Sequence, residues 1–117
     1  MRNRPTRRAA IVGIAGPALA ADEAALFATD PPAGAILFRR NVVDPAQLRA
    51  LTAALRAALP PEAPVLVDQE GGRVARLRPP LWRAHPPAAA IGALHAANPA
   101  AGLRAAWLTG ALIGIDC

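Results

Sequence analysis

Short apolar runs alternate with polar or proline-rich breaks along this chain. Residues 9–14, 33–38 and 64–67 are each apolar, too short for a stable helix, and bounded by turn residues, so each reads as a buried β-strand. Between them the spacing becomes helical. Asp22 and Glu23 open a short helical piece with Leu26 and Phe27 on its inner side, closed by Asp30-Pro31-Pro32. The clearest helix follows Asp44, a good N-cap, with Pro45 at the first helical position, where a missing N–H costs nothing. Leu48, Leu51, Leu55 and Leu59 then recur every three or four residues, Arg49 and Arg56 lie on the outer face, and Pro60-Pro61 stops the run.

Residues 77–87 are proline-rich and predict an irregular loop anchored by Trp82. Asn98-Pro99 repeats the cap-plus-proline signal and predicts a helix through Leu103, Trp107 and Leu108 towards Ile113. Gly114 is expected to end it, leaving Ile115-Asp116-Cys117 to begin another strand. The order is strand, helix, strand, helix, strand, loop, helix, nascent strand, which points to a parallel α/β sheet or barrel. A strand begun at the last residues leaves an uncovered edge, so the chain reads as part of a domain.

Composition narrows the functional classes. With 117 residues there is room for one domain. Hydrophobic residues reach 54 %, but about a quarter of the chain is alanine, and Leu, Ile, Val and Phe together supply about another quarter. The core is therefore thin. No apolar run reaches the ~18 residues a membrane span needs. The formal charge is +5, carried by thirteen arginines and no lysine. These arginines are scattered over three zones, Tyr is absent and Phe and Trp number two each, which argues against a nucleic-acid surface built on stacking and clustered charge. The one cysteine, Cys117, excludes an internal disulfide and leaves the redox compartment open.

The N-terminus has two readings. Arg2, Arg4, Arg7 and Arg8, the apolar residues 9–14 and an A-x-A-like Ala18-Leu19-Ala20 resemble an export signal, with Arg7-Arg8 hinting at its twin-arginine form. Gly13, Gly16 and Pro17 interrupt that helix and favour a basic tail over residues 1–8 followed by a strand. The residues alone leave the two level.

The candidate chemistry gathers where the third strand ends. Asp68 and Glu70 lie at the carboxyl end of that strand, the end at which parallel α/β folds place ligands. Gly71-Gly72 permits a tight turn with positive φ. Arg73 and Arg76 are three apart and share a face if a helical turn begins there. Carboxylates that accept hydrogen bonds from hydroxyls, beside a guanidinium that donates them, suit a polyhydroxylated ligand such as a sugar. The bland alternative is an Asp–Arg pair that only ties down a loop. A glycosidase acid/base role for Asp68 with Glu70 fits poorly, because neighbours in one loop do not flank a glycosidic bond. Arg40-Asn41 reads equally as a site-lining pair or a structural turn. His85 and His95 read as surface or satisfied histidines, with no zinc-like spacing to Cys117. Serine is absent, which excludes serine-nucleophile hydrolysis.

The run Asp68-Gln69-Glu70-Gly71-Gly72-Arg73-Val74 resembles the β-N-acetylhexosaminidases of glycoside hydrolase family 3, the bacterial peptidoglycan-recycling type. Gly34-Ala35-Ile36-Leu37-Phe38 with Arg40-Asn41, then Asp44-Pro45-Ala46-Gln47-Leu48, resembles the family's second strand and following helix. Residues 11–19 resemble its first strand and turn, and Gly114-Ile115-Asp116 the start of its fourth strand. The likeness covers residues 9–117.

The resemblance implies the N-terminal part of a (β/α)8 TIM-type barrel, incomplete in this chain. It implies a retaining β-N-acetylhexosaminidase, cytoplasmic, acting on N-acetylglucosamine-containing peptidoglycan fragments without metal or organic cofactor. Within the family motif the aspartate and second arginine hold the terminal sugar, which makes Asp68 and Arg76 substrate-binding candidates. The family's nucleophilic aspartate and its loop histidine belong to later segments beside a lysine-histidine motif. This chain has no lysine, so no catalytic residue is assigned in it, and it is expected to be inactive and marginally folded alone. A first strand at residues 9–14 also makes export the lesser reading. The rival is a non-enzymatic sugar-binding half-barrel or an inactive remnant.

Overall fold

The computed structural model describes residues 6–117, which divide into two compact units, the first ending at Val67 and the second running from Asp68 to Cys117. The expected basic tail lies largely outside the described residues.

The first unit is a three-stranded parallel sheet with helices between its strands. The strands are β1 (Arg8–Val12), β2 (Pro32–Leu37) and β3 (Val65–Val67), in sheet order β1-β2-β3. Helix α1 (Ala21–Thr29) connects the first pair and α2 (Pro45–Ala58) the second. Val12 pairs with Ala35 and Leu37 with Val67, with a register irregularity between Arg8 and Ile11. Glu23 starts α1 by accepting from the backbone N–H groups of Ala15 (2.8 Å) and Ala20 (2.9 Å). Asp44 caps α2 as expected, accepting from Gln47 N at 2.8 Å.

The core of this unit holds Ile14, Phe27, Ala35, Leu37, Leu51, Leu55 and Leu59. The leucine periodicity of α2 is therefore a burial pattern, with Arg49 and Arg56 exposed. Three expectations need correction. Of the strands expected to be buried, only β2 is largely so; β1, an edge strand, is exposed over Arg8–Ile11, and Leu66 of β3 is also exposed. A strand with one neighbour lacks cover on that side. Leu26 is exposed too, leaving Phe27 as the inner residue of α1.

The second unit opens with a short antiparallel hairpin, β4 (Gln69–Gly71) and β5 (Val74–Ala75), not the helical turn that would have let Arg73 and Arg76 share a face. Its loop is irregular, as expected. Trp82 is not its anchor, being half-buried, whereas Leu77 and His85 are buried. Helix α3 (Ala88–Ala97) was not expected, and it packs on α4 (Pro99–Asp116). Gly102 makes their approach possible, since a Cβ there would collide with His95. Asn98 caps α4, accepting from Ala101 N at 3.1 Å. The expected stop at Gly114 and strand at 115–117 do not occur. The strong helix formers before Gly114, among them Leu103, Ala105, Ala106, Leu108, Ala111 and Leu112, carry the ~1 kcal/mol penalty of a helical glycine, so the helix continues to Asp116.

Cys117 follows the last residue of α4. Burial, and then the negative charge of Asp116, push its thiol above the ordinary cysteine range. Because the thiolate is the reactive form, iodoacetamide at pH 8 is expected to alkylate Cys117 several-fold more slowly than a small free thiol. The gap should close as pH rises towards 10, followed by mass spectrometry. Equal rates at pH 8 would contradict this.

Candidate functional site

The hairpin places the two sugar-binding candidates side by side. Asp68 directly follows β3 in sequence, and Arg76 directly follows β5. Arg76 Nη2 donates to Asp68 Oδ2 at 3.2 Å, with the side chains 21 % and 40 % exposed respectively. The contact is single and end-on, so it is weak by itself. Among the described residues Asp68 Oδ1 makes no hydrogen bond, which leaves that oxygen open to a hydroxyl.

Two devices hold the hairpin. The first is its turn. Gly71 and Gly72 have φ of 91° and 58°, the left-handed region that the glycine pair was expected to supply. Gly72 N donates to His85 O at 3.0 Å, and a Cβ on Gly71 would strike the Pro86 carbonyl oxygen. Glycine is thus required for backbone conformation and for close approach together. The second is Gln69. This buried side chain accepts from Arg76 N at 2.9 Å and Leu77 N at 3.0 Å, and donates to Leu77 O at 2.9 Å. Sequence reading passed over Gln69, though a glutamine between two acidic residues in a buried alternation is a signal for such a clamp.

The other candidates sort themselves by their contacts. Glu70 is exposed and takes no part in the Asp68–Arg76 contact. His85 is a satisfied histidine: its ring Nε2 lies 2.8 Å from Asp116 Oδ2, and Arg83 holds the other oxygen of that carboxylate. Neither group of this cluster was foreseen as a partner of the other, because thirty-one residues separate them. His95 is exposed, with Nδ1 3.2 Å from Pro99 O. Among the described residues no three His, Cys, Asp or Glu side chains could hold a metal ion. In the first unit Asn41 is fully buried and bonds Ile14 O, Gly16 O and Phe38 N, which decides for the structural turn at Arg40-Asn41.

No family model matches the chain. A beta-hexosaminidase of Xylella fastidiosa (strain 9a5c) is 43 % identical over 97 residues, covering 83 % of this chain and 29 % of that protein. The crystal structure of NagZ from Neisseria gonorrhoeae in complex with zinc ion superposes with a TM-score of 0.87 at 31 % identity, covering 94 % of this chain and 33 % of NagZ. The chain matches part of the β-hexosaminidases of glycoside hydrolase family 3. A second solved relative, the family 3 beta-N-acetylglucosaminidase from Paenibacillus sp. str. FPU-7, gives a TM-score of 0.75 at 30 % identity over 91 % of this chain and 20 % of that one. Against these β-hexosaminidases the chain spans about a third of the length or less. The mixed α/β architecture is theirs. The crystals of NagZ from N. gonorrhoeae include one in complex with N-trifluoroacetyl-D-glucosamine.

Proposed function

We propose that this chain supplies part of the terminal-sugar site of a retaining β-N-acetylhexosaminidase acting on peptidoglycan fragments. The Asp68–Arg76 pair carries this reading. The carboxylate accepts hydrogen bonds from sugar hydroxyls, and the guanidinium beside it fixes its orientation and donates one of its own. Three parallel strands joined by α1 and α2 suit the opening of a (β/α)8 barrel, whose ligands gather where strands end. In the retaining reaction a carboxylate attacks the anomeric carbon and an acid/base protonates the leaving oxygen, before water releases the sugar from the glycosyl-enzyme. No residue of this chain is assigned to those steps, and no metal or organic cofactor is invoked. Ala18-Leu19-Ala20 lies between β1 and α1, so cleavage there would remove a strand that pairs with β2; this supports a cytoplasmic protein rather than an exported one.

The test uses the 117-residue chain. Saturable N-acetylglucosamine binding, seen by saturation-transfer NMR, is expected to weaken ~10- to 100-fold in Asp68→Ala, because a charged hydrogen bond contributes about 1.5–3 kcal/mol. Hydrolysis of a chromogenic N-acetylglucosaminide should stay at background. Unchanged binding in Asp68→Ala would refute the site, and turnover by this chain would refute the division of labour. The second reading, a sugar-binding half-barrel without catalysis, is favoured by a pair that is well placed to bind while no nucleophile is assigned, and it too predicts binding without turnover.

A further inference from the structure

We propose that Gln69 is the positioning residue of the sugar pair, holding the Arg76 guanidinium against Asp68 through the backbone of residues 76 and 77. The backbone ladder cannot do this. Pairing between β4 and β5 runs from Gly71↔Val74 to Gln69↔Ala75, so β5 ends one residue before Arg76. From there the Gln69 side chain replaces the ladder: its Oε1 takes the N–H groups of Arg76 and Leu77, and its Nε2 gives to Leu77 O. A primary amide is the one uncharged side-chain group that offers a double acceptor and a donor at this reach. Leucine offers neither, and an ionised glutamate would turn a bare oxygen towards the Leu77 carbonyl.

The guanidinium does not hold itself. Its single contact is the 3.2 Å end-on bond to Asp68, and its Nε is buried with no partner among the described residues. A side chain so sparsely bound keeps its place only if its own backbone is held, and Gln69 is what holds it. The inference rests on the sugar-site reading for its purpose but not for its geometry, and the two fail separately.

The experiment takes the nitrogen-15-labelled 117-residue chain and follows two signals, solvent exchange of Arg76 Nε–H and N-acetylglucosamine affinity. Exchange is expected to be slow in the unsubstituted chain and in Asp68→Ala, and at least tenfold faster in Gln69→Leu. Sugar affinity should fall at least fivefold in Gln69→Leu, and the same substitution in an Arg76→Lys background should add no further loss. If Gln69→Leu fails to fold, the isosteric Gln69→Glu replaces it: its exchange should exceed that of the unsubstituted chain at least tenfold at pH 7, and the ratio of the two rates at the same pH should shrink at pH 4, where a protonated carboxyl again offers donor and acceptor. Unchanged Nε–H exchange in both Gln69 variants overturns the proposal, as do additive losses with Arg76→Lys. A chain that binds no sugar overturns the function proposed above, while the exchange data still decide the role of Gln69.

Discussion

Leu55→Ala is expected to lower the melting temperature by about 10–30 °C. Leu55 is completely buried on the inner face of α2, within a cluster of only seven buried residues. Removing a buried leucine side chain costs about 2–5 kcal/mol, the transfer energy of the lost carbons plus the cavity left behind. In a domain of 60–100 residues each kcal/mol moves the midpoint by about 4–8 °C. One of the seven members is an alanine and contributes little, so six large side chains and the half-buried residues packed against them carry the unit, and a domain of this size has only a few kcal/mol in hand. Leu26→Ala, on the exposed side of α1, should move the midpoint by less than 3 °C. Circular dichroism melts check both, and similar shifts for the two variants would show that the core lies elsewhere.

Asn41→Ala is expected to cost about 2–4 kcal/mol although it removes almost no apolar surface. The Asn41 amide donates to Ile14 O at 3.1 Å and Gly16 O at 2.8 Å, and its oxygen accepts from Phe38 N at 2.8 Å. Ile14 O keeps a second donor, Arg40 Nε at 3.0 Å, whereas Gly16 O and Phe38 N lose the partner that Asn41 provides. Each unsatisfied buried polar group costs about 1–3 kcal/mol, and these two, being half-buried, fall towards the lower end. Urea denaturation should show a lower midpoint with an unchanged slope, since the surface exposed on unfolding is the same. A loss under 0.5 kcal/mol would mean that water reaches the turn.

What could be read from residues alone was whatever local chemistry dictates. Asp44 with Pro45 and four spaced leucines specify α2, and Gly71-Gly72 specifies a left-handed turn; both are present. Partners far along the chain were illegible. His85 meets Asp116 and Arg76 meets Gln69 through folding, and neither spacing repeats a local pattern. Alanine blurred the rest. Residues 88–97 are mostly alanine, with no apolar stripe to announce α3, and α4 runs on through Gly114, where a stop was expected. The family motif gave Asp68 and Arg76 as a pair, and the geometry brings them into contact.

The strands of the first unit lie in the sheet in the order in which they occur in the chain, β1-β2-β3. On a ribosome, each strand therefore finds its neighbour already made and waits for nothing downstream. Once Leu37 has left the exit tunnel β1 and β2 can pair, and once Val67 follows the sheet can be complete. Each strand pairs with the one made just before it, so this unit is suited to assembling during synthesis, strand by strand, as the chain emerges.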